Sequence, residues 1–241
     1  MIGLGLVILG ALAALVGFLL LRYSGSGWRI GRLLAASPAR TLADARAIAE
    51  AGEPAFIRLH GRIDSEEEFP GDDGKPIVYR RRRLQRRSGR SGWETFDDER
   101  LAVPFWLSEK GQRVSIDSEA LGDGLVVVPR ESEGVAADVT AEAVSGELPE
   151  MDPSTPVRLR IEQVSTVDHA TAAGTPRPGP DGSVVLGPGL GRPLLLTTLD
   201  EDEAMRLLAG EHRRALLLAA GLLTACPVIV LAGVVALVLG L

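Results

Sequence analysis

Two apolar runs, one at each end of the sequence, constrain this chain more than anything between them. Ile2 to Leu21 reads IGLGLVILGALAALVGFLLL without a single charge, and Ala215 to Leu241 reads ALLLAAGLLTACPVIVLAGVVALVLGL. A helix needs roughly 20 such residues to cross the hydrocarbon core of a bilayer, so each run is long enough. The first has no basic region ahead of it, and no small-residue cleavage site followed by a polar start, which argues against a removable signal peptide. Pro227 lies inside the second run, where a membrane helix tolerates it better than a soluble one. The expectation is a two-pass cell-membrane protein, with spans over 1–22 and 215–241 and both termini on one side.

Orientation is read from the arginines. Arg22, Arg29, Arg32, Arg40 and Arg46 follow the first run, and Arg206, Arg213 and Arg214 precede the second. The positive-inside rule then puts the middle of the chain in the cytoplasm and both termini outside. Small residues recur four apart at Ala13 and Gly17, Gly221 and Ala225, and Ala232 and Ala236. Such faces allow close helix approach, between the two spans or between protomers of a homo-oligomer. The favoured account is the general alanine and glycine richness of prokaryotic membrane helices.

Composition narrows the functional class. The formal net charge is -6, which argues against a general nucleic-acid binder. Lys75 and Lys110 are the only lysines, a bias that suits a prokaryote. A single cysteine, Cys226, rules out an intrachain disulfide or a cysteine-rich metal site within these residues, and its apolar surroundings suit inert packing.

Between the spans, residues 23–52 read as a juxtamembrane segment with Tyr23 and Trp28 at headgroup level, then a short helix. Thr41 and Asp44 have the spacing of a capping box, and Gly52 stands where a helix C-terminus is expected. Residues 53–199 read as a β-rich domain. Phe56, Ile57, Leu59 and Ile63 form strands readily, and Gly61 marks a bulge or a close backbone approach. An acidic turn with Pro70, Gly71 and Gly74 follows, then a strand from Ile77 to Arg87. Leu101 to Ile116 reads as a hairpin about the turn Glu109 to Gln112. Leu125 to Val128 is a short buried strand, Pro129 to Glu150 is ambiguous, and Pro156 to Ser165 alternates with Val157, Leu159, Ile161 and Gln163 on one side. Gly174 to Gly182 reads as a loop, followed by the short strands SVVLG and RPLLLTTL. Asp200 and Glu203 form a second capping box opening a juxtamembrane helix over 200–214. The fold class expected is α+β, mostly β: a barrel- or sandwich-like domain between two transmembrane helices.

No catalytic constellation emerges. His60, His169 and His212 are isolated in sequence, with no metal-ligand spacing, so no catalytic residue, metal or cofactor is assigned. The glycines of LGPGLGRP resemble a phosphate loop, but Pro188 and a following strand defeat that reading. The sharpest anomaly is the run Arg80, Arg81, Arg82, Arg83, Arg86 and Arg87. On a strand these arginines line both faces. They suit an anion-binding face for anionic lipid headgroups or an acidic protein partner. The favoured reading is a charged, solvated edge strand that discourages edge-to-edge association, with acids in SEEEF, GDD and FDDE near enough to pair with them.

The order of these features resembles the GIDE domain, the membrane-embedded module of a mitochondrial outer-membrane RING ubiquitin ligase and its bacterial and archaeal relatives. The resemblance rests on Gly61 in LHGRI, the strand IVYRRRRL, Trp93, Phe105 in VPFWL, Gly111 before Val114, and Glu162 in RLRIEQVS. It extends through SVVLG and PLLLTTLDEDEAMRLL and covers roughly Thr41 to Leu241. It implies a two-span membrane protein, with these residues serving the fold as its signature. A RING requires cysteine and histidine ligands for two zinc ions, and Cys226 is the only cysteine here. The expectation is therefore a membrane-anchored binding or scaffold protein, related to ubiquitin ligases but lacking the RING. The alternative is a component of a ubiquitin-type transferase system acting with a separate catalytic partner. Where the family strand commonly has a cysteine before its valine, this chain has Ile77.

Overall fold

The computed structural model describes residues 2–24, 26–71, 74–89, 92–140, 144–146, 149–200, 203–204, 206 and 213–238. The chain forms two compact units, Met1–Ala35 with Glu201–Leu241, and Ala36–Asp200.

The first unit is helical. It contains α1 (Ile2–Ser24), α2 (Ser26–Ala36) and α4 (Arg213–Val238), the last uninterrupted at Pro227. Among the described residues, one stretch is long and apolar enough to cross a membrane: Leu217–Val238 of α4, with a mean hydropathy of 2.5. The apolar part of α1, Gly3–Leu19, is shorter. The two helices pack antiparallel, since Gly3 lies beside Leu237, Gly10 beside Val230 and Gly17 beside Leu223. A Cβ on Gly10 would stand 2.5 Å from a Val230 methyl, so glycine sets how closely the helices approach. The contact thus runs through glycines seven apart. Of the residues four apart that the sequence suggests, Gly17 takes part, whereas Gly221, Ala225 and Ala232 lie exposed on the outer side of α4. The side chains of Tyr23 and Trp28 and most of the helix expected over 200–214 lie outside the described residues.

The second unit begins with α3 (Leu42–Ala51), which forms where its caps dictate. Thr41 Oγ1 accepts from the Asp44 amide, the Asp44 carboxylate accepts from the Thr41 amide, and Gly52 ends the helix at φ 70°. The left-handed conformation there favours glycine. Leu42, Ala45 and Ala49 bury against the barrel described next.

Five strands close a barrel-like sheet: β1 (Ile57–Asp64), β5 (Trp106–Glu109), β6 (Gln112–Ile116), β11 (Val184–Gly187) and β10 (His169–Pro178), which pairs back onto β1. Short strands β12 (Leu195–Thr197) and β7 (Leu125–Val126) extend it from β10. Alternation fills the interior: Ile57, Leu59 and Ile63 of β1 meet Phe105, Leu107, Val114, Ile116 and Leu186. The β5–β6 hairpin turns through Lys110 at φ 49° and Gly111 at φ 77°, the primed geometry whose twist matches its arms.

Glycine also sets strand spacing. Gly61 faces inward on β1, where a Cβ would lie 3.1 Å from the Ser108 carbonyl oxygen and 3.2 Å from Leu107 Cβ. Gly61→Ala is expected to cost about 1–2 kcal/mol by overpacking, read as a lower thermal midpoint of the detergent-solubilised chain. An unchanged midpoint would show that β1 and β5 separate freely.

The other sheet has five strands: β2 (Phe69–Pro70), β3 (Pro76–Ser88), β9 (Pro156–Ser165) and β8 (Arg130–Val135) in that order, with β4 (Gly92–Ala102) also beside β3. Four strands depart from the sequence reading. β2 falls within the stretch expected to be an acidic turn. β4 and β8 occupy stretches not assigned to strands, and β10 runs through Gly174 to Pro178, which reads as loop. The arginine strand is also not an edge. β3 has β9 along one side and β4 along the other.

Candidate binding surface

The arginine run lies at the centre of this second sheet, and the acids it needs come from the neighbouring strands. Alternation puts Tyr79, Arg81, Arg83 and Gln85 on one face of β3, with Glu162, Arg160 and Arg158 of β9 across from them. Arg81 is 6% exposed. Its guanidinium holds Asp98 of β4 through two bonds, Nε to Oδ1 at 2.8 Å and Nη2 to Oδ2 at 2.7 Å. Its third nitrogen donates to Asp123 Oδ1 at 2.9 Å and to the Gly122 carbonyl at 3.3 Å. Such bidentate pairing suits the planar guanidinium fork, which lysine lacks. The bonds that Arg81 donates hold the Asp98 carboxyl below the usual carboxylate range, and Asp98, by accepting them, raises the already high Arg81 value.

Glu162 is a second hub, 5% exposed. It accepts from Arg83 and, at 3.1 Å, from Arg160. Arg160 and Arg158 share the carboxylate of Glu131 on β8, at 3.2 and 3.3 Å. Arg158 also donates twice to Gln85 Oε1 and lies 4.7 Å over the Trp93 ring. Charged groups therefore tie β3 to β4 through Arg81 and Asp98, and β3 to β9 and β8 through Arg83, Glu162, Arg160 and Glu131. Next to them Tyr79, 1% exposed, keeps a hydroxyl without a hydrogen-bond partner among the described residues, and burial pushes its phenol upward. On the other face, Arg82 pairs with Glu99 and Arg86 with Glu94, each at 3.0 Å. Arg80 and Arg87 are engaged as well.

The strand therefore has its counter-charges built in, and its arginines serve first to tie β3, β4, β9 and β8 together. Of the acids adjacent in sequence, FDDE supplies Asp98 and Glu99, while 72–73 of GDD lie outside the described residues. The sequence suggests this pairing for β4 but gives no sign of Asp123, Glu131, Arg158 or Arg160. Those residues arrive only through long-range register. Trp93 and Glu162 join the arginines on this sheet. Gly61, Phe105 and Gly111 belong to the barrel: Phe105 is 1% exposed in its core and Gly111 forms the β5–β6 turn.

The Asp98 shift predicts an acid dependence. A carboxyl whose folded value is depressed stabilises above its unfolded value of about 3.9, and that stabilisation is lost as pH falls through the folded value. The thermal midpoint is expected to fall below about pH 4, less steeply in Asp98→Asn. Parallel pH profiles for the two proteins would place the acid sensitivity elsewhere.

Among the described residues no group of three or more histidine, cysteine, aspartate or glutamate side chains is placed to hold a metal ion. Comparison with protein-family models, with curated proteins and with solved structures finds no match to this chain.

Proposed function

We propose that this chain is a membrane-anchored binding or scaffold protein, its β-rich domain of the GIDE kind held at the bilayer by α1 and α4 as a two-pass hairpin. The observation that supports anchoring is the outer surface of α4. Leu217, Leu218, Val228, Leu231 and Val238 are 64%, 63%, 67%, 67% and 81% exposed along one helix. An exposed apolar surface of that length is costly in water and is satisfied by lipid. The arginine asymmetry favours a cytoplasmic domain with both termini outside.

For the domain itself, binding is the reading that its surface suits best. The charged groups around Arg81 and Glu162 make a face of alternating charge, bordered by Glu131 and Trp93. Such a surface selects a partner by charge complementarity and register. An acidic protein segment or anionic headgroups would have to compete with the internal carboxylates for β3. Partners are therefore expected to engage the less buried arginines of the sheet, such as Arg86 on its other face, before the buried Arg81.

Membrane fractionation tests anchoring. The full chain is expected to resist alkaline extraction, and deletion of 217–238 to weaken that resistance. Extraction of the full chain into the soluble fraction would overturn the proposal. Affinity capture from detergent extracts, with Arg86→Gln as the comparison, then asks whether a specific protein binds this sheet.

A further inference from the structure

Two arginines with no carboxylate partner among the described residues lie elsewhere, on the outside of the barrel. Ile57, Leu59, Gly61 and Ile63 of β1 point inward, so His60 and Arg62 point outward. Register then sets four residues side by side across adjacent strands. Arg62 is opposite His169 on β10 and Ser108 on β5, and Ser108 is opposite Arg113 on β6. His60, Arg62, Arg113 and His169 are all exposed.

Three contacts orient the row. The His60 and His169 rings lie 6.0 Å apart at 16°. His60 Nδ1 is 3.2 Å from Thr171 Oγ1, which leaves Nε2 toward solvent. Arg113 stands 4.9 Å over the Trp106 ring, which fixes its guanidinium at the opposite end. Two acids close to the row in sequence accept from backbone amides: Asp64 from Ser65 and Asp168 from Ser165. Among the described residues, neither Arg62 nor Arg113 has a carboxylate within ion-pair distance.

We propose that this row binds a phosphate-bearing anion. Adjacent strands are about 4.8 Å apart, so the Arg62 and Arg113 backbones stand about 10 Å apart with Ser108 between them. Two arginine side chains reach across that gap to close on one tetrahedral oxyanion, where charge-assisted bonds are strongest. The two imidazoles add N–H donors at the Arg62 end. A transition-metal ion is the competing ligand for paired histidines. The fixed charge of Arg62, directly opposite His169, opposes a cation and favours an anion. The row extends the binding-module reading and does not depend on membrane insertion.

The phosphate belongs either to a soluble compound or to a lipid headgroup, and two arms separate these. The full chain, with labelled histidine, is placed in phosphatidylcholine nanodiscs and titrated with pyrophosphate while the imidazole resonances are followed. A second preparation replaces part of the lipid with phosphatidylglycerol and receives no pyrophosphate. Pyrophosphate is expected to shift His60 and His169 and to leave His212 in place. The Arg62→Gln/Arg113→Gln double variant should bind at least about tenfold more weakly. Its thermal midpoint should be unchanged, since both side chains are exposed. Shifts with phosphatidylglycerol alone would assign the headgroup as the source. Resonances that stay fixed in both arms, or a double variant that binds as tightly as the wild type, would overturn the proposal. Fractionation reads anchoring separately, so the two readings fail independently.

Discussion

Glu162→Ala is expected to lower the stability of the β-domain by about 3 kcal/mol, because it removes the one carboxylate shared by Arg83 and Arg160 and leaves both guanidiniums in a largely desolvated face. Glu162 is 5% exposed, and the Arg83 and Arg160 side chains are 20% and 16% exposed. Neither arginine can turn fully to water without breaking the sheet lattice. Arg160 retains Glu131 at 3.2 Å, which keeps the loss near the lower end of the range for a broken buried pair. For a domain of this size the thermal midpoint should fall by roughly 10 °C. Glu162→Gln separates charge from shape, since the amide keeps one acceptor oxygen but loses the charge. It is expected to fall between the wild type and the alanine variant. A midpoint for Glu162→Ala within about 2 °C of the wild type would mean that the lattice contributes little beyond its solvated rim.

Gly124→Ala is the second large effect, and it has a steric origin. Gly124 ends the short 3-10 segment Ser118–Gly124 and leads directly into β7. A Cβ there would stand 1.8 Å from the Leu194 carbonyl oxygen and 2.9 Å from its carbonyl carbon. Both obstacles are backbone, so no rotamer change relieves the clash. The chain must instead separate at the point where Leu125 meets Leu196 and β7 docks beside β12. The cost is expected to reach or exceed about 3 kcal/mol, the upper end for overpacking. Poor recovery of folded protein, or a midpoint well below that of Gly61→Ala, is the outcome to measure. Wild-type behaviour would show that the β7–β12 pairing is dispensable.

Local chemistry announced part of this fold. The capping box of α3 needs only Thr41, Asp44 and Gly52, and the β5–β6 turn needs only Lys110 and Gly111, so both were legible. β1 was legible from its alternation. β10 was not. It has alanine at positions 170, 172 and 173, glycine at 174 and proline at 176 and 178, a composition that signals a loop. Yet Ala170 and Ala172 are 1% and 0% exposed, and a Cβ on Gly174 would meet the Gly187 carbonyl at 2.7 Å. Small residues are what a strand hemmed in by β1, β11 and β12 requires, and a single sequence does not reveal that crowding. β4 was obscured for another reason. Its Asp97, Asp98 and Glu99 look soluble until the arginines of β3 are placed against them. The same gap hid the surfaces: the lattice and the barrel row both join residues from strands far apart in the chain, which only register brings together.

The pairing of β1 with β10 has a consequence for how the protein is made. Ile57 lies opposite Gly174 and Arg62 opposite His169, so the first barrel strand leaves the ribosome long before its partner exists. β3 likewise waits for β9, and α1 waits for α4. Such non-local topologies close slowly, because the entropy of the intervening loop is lost before the pairing stabilises it. Throughout that interval the exposed edges of β1 and β3 are open to the wrong strands. Until Glu162 arrives, the side of β3 that awaits β9 carries arginines without that counter-charge, and repulsion between like charges disfavours pairing of two such edges.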